Sequence, residues 1–174
     1  MTEPPTARPI ARLATELRFT GLGQIAIGLG GVVAALIAAD ESAARLLVPF
    51  AIVVLLIGGL SIYNTAWLRR DAPAGEAAGA RIETTSDTYR RSAVGLVLAL
   101  VAVALVGAFG PSLAAILGGV VGAVGLVDLY NDRWVRAREK TTGEALYREL
   151  GRSPFSPGRR PLYTRPLKDS TLAM

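Results

Sequence analysis

Four stretches of the chain carry no charge, and charged residues crowd between them. The stretches are residues 19–39, 46–68, 92–109 and 112–127. A helix crosses a hydrocarbon core about 30 Å thick with about 20 residues at about 1.5 Å each. The first two stretches meet that length, and the last two are shorter, so they stand upright or thin the bilayer locally. The fourth continues through Asp128 to about residue 131. The pattern predicts an all-α polytopic membrane protein with four transmembrane helices in two tandem hairpins, residues 19–68 and 92–131.

The flanking segments read differently. Residues 1–18 hold a Pro-rich start and then an amphipathic stretch, residues 7–19. Its Ile10, Leu13, Ala14 and Leu17 share one helical face while Arg12, Glu16 and Arg18 lie elsewhere, which predicts a short helix lying on the membrane surface. Residues 69–91 form the long loop between the hairpins. Residues 132–151 have the Ala, Glu, Arg and Leu content of a helix continuing beyond the membrane. Asp132 pairs with Arg136 and Glu144 with Arg148 at i,i+4, and Gly151 is the stop. Residues 152–174 contain Pro154, Pro157, Pro161 and Pro166. That density excludes helix and predicts an extended, basic arm, disordered or laid on a partner.

Charge sets the orientation. Arg45 is the single basic residue on one side of the four spans, and the other 18 of the 19 Lys and Arg residues lie on the opposite side. The positive-inside rule then places both termini and the middle loop in the cytoplasm of a bacterial inner or intracytoplasmic membrane. The net charge of +5 and pI of about 10.1 are therefore read as basic loops on an anionic leaflet, and nucleic acid is not an expected partner. The bilayer and other membrane-protein subunits are, with a homo-oligomer as the other arrangement.

A motif occurs twice. Tyr63-Asn64-Thr65-Ala66-Trp67-Leu68-Arg69 and Tyr130-Asn131-Asp132-Arg133-Trp134-Val135-Arg136 are both Y-N-x-x-W-x-R. Between them they hold both Asn and both Trp residues of the chain. The repeat predicts duplicated hairpins related by a pseudo-two-fold axis along the membrane normal. Tyr63, Asn64, Trp67, Arg69, Tyr130, Asn131, Trp134 and Arg136 are expected to anchor the helix ends at headgroup level, although a paired site remains the alternative.

Small residues recur every fourth position in the first span, at Ala26, Gly30, Ala34 and Ala38. The fourth span holds Gly118-x-x-x-Gly122. Such ridges let helix backbones approach closely, and they are the expected helix-packing residues.

The chain offers little chemistry. It has no Cys and no His, which removes disulfides, thiolate chemistry, His-ligated metals and His-based acid–base catalysis. No catalytic residue, metal ligand or cofactor site is predicted. Asp128 is the acid within a span and the candidate for ion coupling. Gln24 and Asn64 are expected to make interhelical hydrogen bonds.

Leu17-Arg18-Phe19-Thr20-Gly21, followed by a long apolar span containing Gln24, resembles a small four-helix membrane family of unknown function found in cyanobacteria, chloroplasts and some proteobacteria. Its members share an Arg-x-Thr-Gly lead-in to the first span and an aromatic-plus-Arg exit from the second, where Tyr63, Trp67, Arg69 and Arg70 fit. The resemblance covers the four spans and stops at Asp132. It implies a bioenergetic or photosynthetic membrane and no catalytic residue. Two functions follow as expectations. One is a non-catalytic accessory or assembly subunit of a larger membrane complex, docking by its small-residue faces and basic arm. The other is a small oligomeric transporter or channel using Asp128.

Overall fold

The computed structural model describes residues 9–39, 42–77, 80–150 and 160–167. Four helices in it are long and apolar enough to cross a membrane. They are α1 (Leu13–Ala38), α2 (Ala43–Thr65, extended by the short α3, Trp67–Arg70), α4 (Thr85–Gly107) and α5 (Pro111–Thr142). Pro111 opens α5 at its first turn, where a missing N–H costs nothing. Thr84 caps α4, its Oγ1 accepting from the Asp87 N–H at 3.2 Å.

The close packing is between α1 and α5, which run antiparallel. Gly21 faces Gly125, and seven residues on Gly28 faces Gly118. A Cβ at Gly28 would lie 2.6 Å from the Gly118 carbonyl oxygen, and one at Gly125 would lie 2.7 Å from that of Gly21. The backbones therefore touch, as small-residue packing allows. α2 packs on α5, and α4 lies against α1 and α5. A two-fold that exchanged the hairpins would match α1 on α5 with α4 on α2. Those two helices share no comparable packing, so the duplicated motif does not produce a symmetric bundle.

Beyond the helices the fold is not all-α. β1 (Ile10–Arg12), β2 (Glu144–Glu149) and β3 (Leu162–Pro166) form an antiparallel sheet in the order β1-β2-β3. Arg12 lies opposite Tyr147, and Tyr147 opposite Tyr163. The loop before α4 occupies both outer edges. The Ala74 N–H donates to the Leu162 carbonyl at 2.7 Å and the Ala77 N–H to that of Thr164 at 3.1 Å. A few residues on, the Ile10 N–H donates to the Arg81 carbonyl at 2.9 Å and the Glu83 N–H to the Ile10 carbonyl at 2.8 Å. Backbone groups of Ile10, Leu162 and Thr164 on the two outer edges are thereby paired.

This cap has two cores, set by the two-residue alternation of strands. Ala145 and Tyr147 face outward onto Ile10, Ala77 and Ile82. Leu146 and Leu162 face the helices, with Leu13, Leu17, Leu68 and Val135, and Trp67 and Trp134 close the edge of that layer.

Three sequence expectations change. The described part of residues 7–19, from residue 9 on, does not make a separate surface helix. Ile10–Arg12 is a strand, and the helix runs from Leu13 straight into the span, because the apolar face of Leu13, Ala14 and Leu17 is buried by the sheet. The helix expected over residues 132–151 stops at Thr142. Gly143 ends it in the left-handed conformation, φ +71°, and sheet pairing with burial on both faces overrides the helix propensity of residues 144–149. Glu144 and Arg148 accordingly make no helical pair, whereas Asp132 and Arg136 do, at 2.8 Å. The arm expected over residues 152–174 is laid on its own chain at Leu162–Pro166. Residues 151–159 and 168–174 lie outside the described residues.

Candidate functional site

Two features could do something: a polar junction where cap meets helices, and a groove further along α1. The junction centres on Glu16, 6% exposed. Its Oε1 accepts from Arg91 Nη1 of α4 at 3.0 Å and from Arg148 Nη2 of β2 at 2.6 Å. Arg148 sits on β2 between outward-facing Tyr147 and Glu149, so strand alternation aims it at the helices. Arg91 also donates to Glu83 through Nη2 at 3.1 Å, and Thr88 Oγ1 donates to the same carboxylate at 2.9 Å. Arg160 belongs to this cluster, where burial and the nearby Arg148 lower its guanidinium pKa. On the outer face of β2, burial raises the pKa of the Tyr147 phenol.

A second acid, Glu139 of α5, fastens the sheet directly. Its Oε1 accepts from the Leu146 N–H at 3.0 Å and its Oε2 from Arg12 Nη2 at 3.2 Å. Charged pairs of this kind are geometrically demanding and fix one arrangement of sheet against helix.

Below Glu16, Thr20 and Gln24 follow at successive turns of α1. Thr20 Oγ1 lies 3.0 Å from Asp128 Oδ2 of α5. Asp128 therefore meets Thr20, while Arg133 of the same helix is exposed. Gln24 Oε1, expected in an interhelical hydrogen bond, has no partner, nor do Ser92 Oγ and Glu16 Oε2 among the described residues.

The repeated motif is brought together in part. Arg69 Nη1 of the first copy donates to Asn131 Oδ1 of the second at 3.0 Å, and the same guanidinium stacks 5.4 Å from the centre of the Tyr130 ring. Asn131 is 1% exposed. Trp67 and Trp134 pack on one apolar cluster, so both are inward ties between helix and cap. Arg136 is held by Asp132. Tyr63 and Asn64 remain on the outer surface, where anchoring is the role left to them.

The packing expectation splits as well. Gly118 and Gly122 lie on the α1 seam. The ridge Ala26, Gly30, Ala34 and Ala38 does not. The α5-facing positions of α1 are Gly21, Gly28, Gly31 and Ala35, one residue out of phase with that ridge. The ridge instead lines an apolar groove of about 500 Å³ between α1 and α4, floored by Gly31 and Ala114 and walled by Leu100, Val103 and Gly107. Nothing lies within 4 Å of where a Cβ on Gly30 would be.

Sequence reading missed Glu16, Glu83, Arg91, Glu139 and Arg148, which looked like ordinary surface charges. A usable signal was the spacing Glu16-Thr20-Gln24, one polar residue per turn entering an apolar span, with Asp128 on the opposing helix. The chain matches no protein-family model, no curated protein and no solved structure.

Proposed function

We propose that this protein is a non-catalytic accessory or assembly subunit of a larger membrane complex, and that it receives a transmembrane helix of a partner in the groove between α1 and α4. The observation that carries this reading is the uncovered ridge Ala26, Gly30, Ala34 and Ala38. Small residues every fourth position are the device by which membrane helices approach closely. On its other face α1 uses such residues for internal packing, against Gly118 and Gly125. The ridge lies free beside a groove that a helix bearing one row of medium side chains would fill.

The ion pairs of the junction support a structural rather than a chemical role there. Glu16, Glu83 and Glu139 are each already paired with an arginine of another segment. The excess of basic residues on the cap side supports a cytoplasmic cap in a bacterial inner membrane. The sheet, pairing β1 with β2, is consistent with both ends lying on that side.

Site-specific photo-crosslinking tests the reading. A photoreactive residue at Ala34 should give one discrete, stoichiometric protein adduct in native membranes, and the same residue at Leu56 on the outer face of α2 should give lipid adducts. Gly30→Leu should abolish the protein adduct and co-purification of its partner while the isolated protein stays folded. Lipid adducts at both positions would remove the proposal.

A further inference from the structure

The polar turn beneath the cap has fewer hydrogens than its oxygens require. Thr20 has one hydroxyl hydrogen. Three acceptors surround it: the Glu16 carbonyl at 2.9 Å, the Leu17 carbonyl at 3.3 Å and Asp128 Oδ2 at 3.0 Å. A threonine in a helix gives its hydrogen to the carbonyl four residues back, and the 2.9 Å contact is that bond. An ionised Asp128 would then face the Thr20 oxygen with no hydrogen between them. The buried donors left without a partner, Arg148 Nε and Asn131 Nδ2 among them, do not bond to Asp128. Gln24 Oε1 and Glu16 Oε2 are both buried without a partner.

The charged groups around Asp128 do not supply the missing hydrogen. From α1, Glu16 faces it with like charge. From β2, Arg148 acts on it, but its Nη2 is spent on Glu16 Oε1 at 2.6 Å. Arg91 of α4 is divided between Glu16 and Glu83. On α5 itself, Asp132 is paired with Arg136. Among the described residues no cation forms an ion pair with Asp128. A carboxylate held between helices without a cation is costly, and neutralising it removes that cost.

We propose that Asp128 is a proton-binding site within the bundle, its carboxylic O–H donating to Thr20 Oγ1 while the Thr20 O–H donates to the Glu16 carbonyl. One added proton turns two competing contacts into two complete hydrogen bonds in series. Ser92, 7% exposed with its hydroxyl unpartnered, lies on α4 between Arg91, which holds Glu16, and Leu96, which packs on Gly23. Glu16, with one free oxygen, stands between the site and the cap, so the proton exchanges with the cap side. This assignment is independent of helix docking in the groove, which lies on the far side of Gln24.

Infrared difference spectroscopy of the full chain in lipid nanodiscs, between acidic and alkaline buffer, tests it. In acidic buffer the wild type should show a carboxylic-acid C=O band that is lost in alkaline buffer and is missing in Asp128→Asn. Thr20→Val should shift the frequency of that band by removing its acceptor, and Thr20→Ser should restore it. These Thr20 variants decide the matter if Asp128→Asn does not fold. The band should be the same in sodium chloride and choline chloride. A band unmoved by Thr20→Val, or no band assignable to Asp128, would overturn the proposal. A band present in choline and absent in sodium would also overturn it, in favour of a metal cation at the same oxygens.

Discussion

The two flanks of α1 carry small residues at similar spacing and meet opposite fates. On one flank Gly21 and Gly28 find Gly125 and Gly118, each pair reciprocal, and the helices close to backbone contact. On the other, Ala26, Gly30 and Ala34 face α4, whose inward positions are Leu96, Leu100 and Val103. Leu96 rests on Gly23 and Val103 on Gly31, and these side chains hold α4 away between the two contacts. Small-residue spacing therefore shows that a face permits close approach. Closure requires small residues on the opposing helix in matching register, and α5 has them where α4 does not.

The difference can be broken at a single atom. Gly28→Leu should destabilise the bundle most, by about 3 kcal/mol or more, because the new Cβ meets backbone, which cannot rotate away. Unfolding in mixed detergent micelles would read it, and a loss below about 1 kcal/mol would mean that the seam is looser than described. Glu16→Ala comes next. It strands Arg91 and Arg148 at the junction, and since both are a quarter to a third exposed the loss should be about 2 kcal/mol, below that of a fully buried pair. Restored stability in the Glu16→Ala, Arg148→Met double variant would confirm the pairing. Within the GxxxG motif the two glycines should behave unequally. A Cβ on Gly118 would sit 2.8 Å from the Gly28 carbonyl oxygen, whereas one on Gly122 would find its nearest neighbour at 3.8 Å. Gly118→Ala should cost about 1–2 kcal/mol, and Gly122→Ala should be neutral or stabilise by up to about 1 kcal/mol through helix propensity. Equal effects would contradict the register. Smallest of all, Gly30→Leu should change stability by less than about 0.5 kcal/mol, since the groove has room for the side chain.

The spans were legible because a hydrocarbon core imposes a length on any helix that crosses it. Uncharged residues 19–39 and 46–68 announce themselves without any knowledge of what they touch. Phase was not legible. The ridge at Gly30 and Ala34 and the seam at Gly31 and Ala35 differ by one residue on one helix, and only the facing helix decides between them. The cap was invisible for a related reason. Residues 144–149 have helical composition, and their strand state depends on Ile10–Arg12 and Leu162–Pro166, which lie far off in sequence. The junction acids shared that fate. Glu16 and Glu139 look like solvated charges until the arginines that bury them, Arg91, Arg148 and Arg12, are brought in by other segments. Asp128 stood out because an acid inside a span is unusual. Its partner Thr20 did not, since threonine is common in such spans.

The closure of the sheet has a consequence for how the protein is made. β1 is the first described element to leave the ribosome, and its neighbour β2 lies beyond all four apolar helices. β3 follows later still. Residues 81–83 can cover one edge of Ile10–Arg12 after two spans, but the edge that β2 will occupy stays open until all four helices are made, and no local segment pairs with it. Completion of the cap thus records that four insertions have succeeded and that each has left its loop on the correct side. A chain halted after three crossings would deliver its next segment to the opposite face, and the waiting strand would stay exposed to whatever quality control surveys that surface.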